Sequence, residues 1–428
     1  MSKTTLDRSI APPIHPVKDL KLPEIFRYRL DNGIQVHELN MGTQEIVKME
    51  IVFLAGRPYE QKKLASRTTI GLLKEGTSSM SSAQIAETID FYGASLGTPF
   101  NLDTSNVVLH TLSKHFERLL PIIQEIIATP SFPERELQSF IQRSQQRLKV
   151  DLSKEDVVAY RTITEYIFDK TTPYGYNSYP EDYEAVSRAD VVNHFEQNYR
   201  SNQCMIFISG YLPKSTRQLM NRYIGQLKMD AAQTSAQQVI IENIPQSVKI
   251  QHPEGLQTAI RIGRRLFTRN HPDYPAFFVL NTILGGYFGS RLMANIREEN
   301  GYTYNIYSAL DAMKYDGYFY IGTEVGNEFV APTRTEIYKE IKRLQEELVG
   351  AEELTMVKNY LMGTLLMSLD GAFNIMDVHK SLVTNDLNPA YFDVLTNTIQ
   401  QITAENLQIQ AQKYLQKDSL WEVIVGNL

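Results

Sequence analysis

The strongest constraint on this chain is that one order of elements is written twice. A helix, two strands and two further helices can be read between Ser81 and the region after Pro133, and again between Ser290 and the region after Ala351. In the first copy Ser81 and Gln84 form a capping box, Ile85 and Ile89 share a face, and Gly93 closes the helix at Tyr92. Strands on either side of Asn101 to Thr104 follow, the second through Val107-Val108-Leu109. A helix then runs from about Ser113 to Ile127, and Pro133 and Glu134 start the next, as suits proline in a first turn. In the second copy a helix from Ser290 stops at Asn300-Gly301. Tyr302 to Leu310 and Tyr318 to Glu324 read as strands joined at Asp316-Gly317. Pro332 to Leu348 and the segment from Ala351 read as helices separated by Gly350. Repetition on this scale predicts two copies of one architecture.

Ahead of the first copy, Phe26 to Leu30 and Ile34 to His37 flank Asp31-Asn32-Gly33, a hairpin signal in which Asn-Gly supplies positive φ. Strand pairs alternating with helix clusters predict an α+β fold. It has two homologous half-domains, each an antiparallel sheet with helices on one face. The polar stretch 230–238 is the best linker, dividing the chain into 1–229 and 239–428. A length of 428 residues fits that division, because domains run roughly 100–200 residues.

A net charge of −6, with no run of lysine and arginine, argues against a surface that tracks nucleic-acid phosphates. The one cysteine, Cys204, excludes an intrachain disulfide and reads as a buried thiol in the strand-like Gln203 to Ile208. Met1 to Lys21 mixes charges with Pro12, Pro13 and Pro16 and has no apolar stretch of signal length. No run approaches the ~18 apolar residues of a membrane span. A soluble, cytoplasmic protein without membrane contact is the expectation.

Familiar catalytic patterns are missing. The eight histidines include no pair one helical turn apart with a glutamate between; His110 and His115 come nearest and straddle a strand-to-helix junction. Neither a G-x-S-x-G elbow nor a P-loop occurs. Gly285-Gly286-Tyr287-Phe288-Gly289 lacks the Lys-Ser/Thr of a nucleotide loop and reads as close backbone packing.

A resemblance then emerges. Leu284-Gly285-Gly286, Ser290-Arg291-Leu292, Ile296-Arg297-Glu298 and Gly301-Tyr302-Thr303-Tyr304, with His271 to Tyr274 upstream, are similar to the C-terminal half of insulinase and pitrilysin metallopeptidases. Leu30 to Gly33, Ala55-Gly56, Glu75-Gly76-Thr77, Pro130 to Pro133 and Pro173-Tyr174-Gly175 extend the likeness through the first half. The order of these pieces resembles the insulinase, pitrilysin and mitochondrial processing peptidase family, in its bacterial processing-peptidase-like type.

Active members of that family carry an inverted zinc motif, H-x-x-E-H, shortly before a turn that resembles Glu75-Gly76-Thr77. The resemblance places it on Arg67 to Gly71, with Arg67 and Gly71 in the histidine positions and Ile70 in that of the general-base glutamate. The third ligand, in the helix after Phe132 to Leu137, falls on Arg147. Guanidinium offers no lone pair and repels a dication, so the resemblance implies no metal in this chain. It also maps the family's substrate-binding arginine and tyrosine onto Arg297 and Tyr304, two donors suited to an oxyanion. On the residues alone, Arg297 can equally pair with neighbouring glutamates and Tyr304 can be a core aromatic. Arg291 and Tyr302 are lesser alternatives.

Together these imply the zinc-lacking subunit of a heterodimeric metallopeptidase, inactive alone. A homologous partner supplies zinc, and peptide substrate is bound between the two by strand addition in the partner. The alternatives are a non-catalytic scaffold or peptide-binding module of the same fold, a homodimer when the partner is absent, and a peptidase with unfamiliar metal ligands.

Overall fold

The computed structural model describes residues 8–9, 11, 17, 19–200, 204–229, 234–253 and 255–427. Pro12, Pro13, Pro16, Gln203 and residues 230–233 of the expected linker lie outside them.

Two sheets form the frame. The first contains β1 (Phe26–Arg29), β2 (Gln35–Asn40), β3 (Ile46–Phe53), β4 (Ser95–Gly97), β5 (Ser105–Leu112) and β6 (Met205–Gly210), in the order β1-β2-β6-β3-β5-β4. The second contains β7 (Ser247–Gln251), β8 (Thr258–Leu266), β9 (Ile306–Ala312), β10 (Gly317–Val325) and β11 (Trp421–Gly426), in the order β7-β11-β8-β10-β9. Pairing is antiparallel except for one parallel pair in each sheet, β2 with β6 and β7 with β11. Long helical crossovers bring the chain back to the same end of each sheet before those strands form, which is how parallel neighbours arise.

The hairpin of β1 and β2, the capping box at Ser81 and the left-handed Gly93 (φ 59) are as the sequence predicts. One strand start differs. The segment expected to enter β9 at Tyr302 stays off the ladder until Ile306. Gly301 at φ 67 turns the chain away from the helix end. The Thr303 hydroxyl then donates to the Glu324 carbonyl at 2.6 Å, taking a ladder position with a side chain.

Strand alternation divides each sheet into two differently covered faces. On β3, Val47, Met49, Ile51 and Phe53 point into the first half's own core, whereas Lys48, Glu50 and Val52 point the other way. That second face is covered by the helix Gly371–Thr384, which belongs to the second half of the sequence. Its Ala372, Ile375 and Met376 lie on Val52, Phe207 and Leu39. The reciprocal exchange occurs in the second sheet. Ile260, Ile262, Phe319 and Ile321 face that half's own helices. Ala259, Tyr318, Tyr320, Trp421 and Val423 are covered by Ala159, Ile163 and Phe168 of the first-half helix Glu155–Phe168. Helices therefore cover both faces of each sheet, not one, and each half supplies a helix to the other.

Charge fixes the exchanged helices in place. Lys48 Nζ lies 2.7 Å from Asp377, and Lys380 Nζ lies 2.7 Å from the buried Glu50 carboxylate. Glu50 also accepts from Asn106 at 2.6 Å. Across the molecule, Arg261, 1% exposed on β8, pairs with Asp156 of the other exchanged helix. Buried charges that lose a partner are costly, so this pairing disfavours other docking geometries.

Among the described residues no helix is long and apolar enough to cross a membrane. Cys204 is buried immediately before β6, and burial pushes its thiol up to about 12.

Candidate functional site

The four positions onto which the resemblance maps a zinc motif, Arg67, Ile70, Gly71 and Arg147, lie on two helices, Ala65–Leu72 and Glu134–Asp151. Ile70 is 1% exposed and part of the first-half core, so an apolar contact stands where the resemblance places a water-activating carboxylate. A Cβ on Gly71 would sit 2.5 Å from the Phe140 ring of the facing helix. Phe140 thus packs over the backbone where the second histidine would project. Arg67 is half-buried, and Arg147 is largely exposed with a 3.8 Å ion pair to Asp151. None of the four offers a lone pair, and among the described residues no three His, Cys, Asp or Glu side chains are grouped to hold a metal ion. This donor set does not fit zinc.

Arg297 and Tyr304 are brought together. Arg297 lies in Met293–Glu299, a helical segment wound with π-type bonds; at its end the Asn300 N–H donates to the Asn295 carbonyl at 3.0 Å. Such wide turns often occur at functional positions. Leu292, Met293 and Ile296 anchor one side of this segment in the second-half core, which leaves Arg297 at its solvent edge.

Tyr304 is held out by the residues on either side. Thr303 is bonded to Glu324, and the Thr323 hydroxyl donates to the Asn305 carbonyl at 2.9 Å, so both flanks are tied to β10. Tyr304 itself is 87% exposed. It is not on a strand and not in the core. Tyr302, expected to share its strand face, instead stacks on Phe329 at 5.2 Å.

The Arg297 guanidinium lies over two rings, 4.6 Å from the Phe288 centroid and 5.2 Å from that of Tyr304. Each exposed contact of this kind contributes roughly 0.5–1 kcal/mol, enough to bias the side chain toward one orientation. Among the described residues no hydrogen bond or ion pair takes up the Arg297 N–H donors beside these ring contacts. Among the described residues Arg297 has no carboxylate within the 4.0 Å of an ion pair, so pairing with its neighbouring glutamates does not explain it. A cation and a phenol, both donors and both open to solvent, can bind a carbonyl oxygen and favour negative charge on it.

Phe288 was not apparent as a site residue in the sequence. It sits in the glycine run, where an aromatic is the one sequence signal that marks it, and the structure shows it 63% exposed. The packing role of the run is clear at Gly285, where a Cβ would meet the Ser308 amide nitrogen at 2.5 Å.

Other candidates have structural roles. Arg291 makes a two-pronged pair with Glu353 at 2.9 and 2.8 Å, fastening the start of its helix to Ala351–Met367. His110 lies edge-on to Phe373, His115 contacts Tyr92, and His271 stacks on Phe267. His37 and His379 contact each other at 2.8 Å between the halves, and burial holds both well below the usual histidine range, at about 3 and about 4.

Fold and site together define a class: two α+β half-units that exchange helices, with an exposed arginine–tyrosine pair at one helix end and, on two helices of the other half, four positions whose side chains have no electron pair to give. Comparisons with known proteins show what this class is similar to. Residues 185–361 match the model described as peptidase M16 inactive domain. The chain is 21% identical over 403 residues to "Uncharacterized zinc protease YmxG" of Bacillus subtilis, covering 89% of this chain and 96% of that protein. It is 21% identical over 367 residues to "Non-peptidase homolog YmxG" of Helicobacter pylori, covering 83% of each. The crystal structure of a peptidase M16 inactive domain from Pseudomonas fluorescens superposes with a TM-score of 0.87 at 22% identity, over 95% of this chain and 99% of that one. The chain is thus similar to insulinase-type, peptidase M16 proteins, with the match to the inactive-domain model confined to residues 185–361. The two relatives' names disagree on peptidase activity, so what the chain does must be argued from its own residues.

Proposed function

We propose that this protein is the non-zinc subunit of a two-chain metallopeptidase, presenting Arg297 and Tyr304 to a peptide carbonyl held by a homologous subunit that carries the zinc. Alone it is inactive and binds no zinc at the degenerate motif, since Arg67, Ile70, Gly71 and Arg147 have no electron pair to give. Paired, its part in catalysis is electrostatic. The two donors are fixed before substrate arrives, so stabilising an oxyanion requires little reorganisation. Peptide is positioned by backbone pairing with a sheet edge of the partner.

One observation carries this reading. Hydrogen bonds on both sides of Tyr304 hold a phenol that is 87% exposed over an arginine whose N–H groups have no acceptor among the described residues. No packing requirement of this chain accounts for that arrangement.

The test is reconstitution. The purified chain is mixed with a homologue bearing an intact inverted zinc motif, and cleavage of a quenched fluorescent peptide is followed. Activity from the mixture and not from either protein alone is the expected result. A homologue equally active without this chain would overturn the proposal.

A further inference from the structure

A second site, with no lining residue in common with the Arg297 site, lies where the helix Gly371–Thr384 packs beside other helices of the second half. Its helix and the helices Tyr274–Asn281 and Tyr391–Gln401 enclose a cleft of about 600 Å³. That volume lies within the roughly 300–1,000 Å³ of small-ligand pockets. Phe278, Leu365, Leu382, Leu387, Phe392 and Leu395 make most of its wall apolar.

Its polar lining is one-sided. Arg269 Nη1 donates to the Ser381 hydroxyl at 2.7 Å, but the Arg269 Nε–H is buried without a partner. The Tyr391 hydroxyl is buried and unpartnered as well. Tyr274, 7% exposed, lines the same region. Buried polar groups are nearly always hydrogen-bonded, so two orphans lining one apolar cleft suggest that a ligand supplies the acceptor. The one carboxylate on the lining, Asp377, is engaged by Lys48 at 2.7 Å and Lys380 at 3.0 Å, and Arg269 has no carboxylate within ion-pair distance among the described residues.

We propose that this cleft binds a hydrophobic monocarboxylate, its carboxylate accepting from Arg269 and Tyr391 and its tail lying along Phe278, Leu365, Phe392 and Leu395. A single guanidinium matches a single negative charge, and the carboxylate of Asp377 is already neutralised by its two lysines. The carboxylate belongs either to a free fatty acid or to the C-terminal residue of a peptide, and both present the same group to Arg269.

The test is calorimetric titration of the full chain with decanoate below its micelle concentration, with decanol, and with N-acetylphenylalanine and its amide. Saturable one-to-one binding of decanoate, N-acetylphenylalanine or both is expected, with at least about tenfold weaker binding of the uncharged counterparts. Decanoate alone identifies a fatty acid, and N-acetylphenylalanine alone a peptide end. Arg269→Gln should weaken the bound carboxylate about tenfold or more, and Leu365→Trp should block it by filling the cleft. Unchanged thermal unfolding of both variants shows that the fold is intact; if Leu365→Trp unfolds, Arg269→Gln decides alone. Absence of saturable binding, or equal affinity for charged and uncharged ligands, would overturn the proposal.

Discussion

Truncating Ile163 tests the helix exchange that joins the two halves. Ile163 is 0% exposed on Glu155–Phe168 and packs with residues of the second sheet, although it precedes that sheet by about a hundred residues of chain. Ile163→Ala removes three carbons from a site that cannot readily collapse, at a cost of about 3 kcal/mol within the usual 2–5. With a urea m value of about 3 kcal/mol/M, at the upper end for small proteins, the midpoint falls by about 1 M, and by less if m is larger. The only tryptophan, Trp421, stacks 5.0 Å from Tyr166 of the same helix, so its fluorescence reports directly on the exchanged contact. Far-UV circular dichroism reports mainly on the helices of both halves. Both signals should move together by the same amount. A tryptophan transition that shifts while the dichroism midpoint stays at its wild-type value would show that the helix undocks locally and that the halves fold separately.

Three further outcomes follow from the same contacts. Burial lowers His37 to about 3 and His379 and His194 to about 4, below the unfolded value of 6.5. As pH falls from above 6.5 toward 4 the unfolded chain gains protons that the folded chain refuses, so stability is complete above that window and lost within it; urea midpoints at pH 7 and pH 5 should show the drop, and His379→Gln should reduce it. Arg291→Met breaks the pair with Glu353 and should cost about 1–3 kcal/mol in thermal unfolding while leaving the reconstituted peptidase active in the folded range; loss of activity without loss of stability would show that Arg291 belongs to the site. Restoring Arg67→His, Ile70→Glu and Gly71→His together should not yield stoichiometric zinc by metal analysis, because Phe140 occupies the space at Gly71 and Arg147 is not a ligand; one zinc per chain would refute that steric argument.

The repeat was legible because it rests on local signals. Caps such as Ser81, turn glycines such as Gly33 and Gly93, and alternating strands each leave a mark within a few residues. The parallel pairs and the exchange of helices left no such mark. Nothing near Lys48 and Glu50 in the sequence names their partners, since Asp377 and Lys380 lie more than three hundred residues further on. Amphipathic patterning shows that a face is covered but not by which helix. At the site, Arg297 and Tyr304 were found through the family likeness, and residue type alone left them open to ordinary explanations. The sequence places Tyr304 on a strand, because aromatic residues near a strand suggest its continuation. Side-chain bonds from Thr303 and Thr323 instead hold it in a loop, and no propensity encodes that.

The decisive measurement is the turnover of the two-chain complex when the donors are removed singly. With assembly and thermal stability unchanged, Arg297→Ala and Tyr304→Phe should each lower kcat about 100-fold, the scale of losing one oxyanion donor, with a smaller effect on KM. Full turnover in both variants would mean that these side chains take no part in the reaction, and the chain would then serve its partner only as a scaffold.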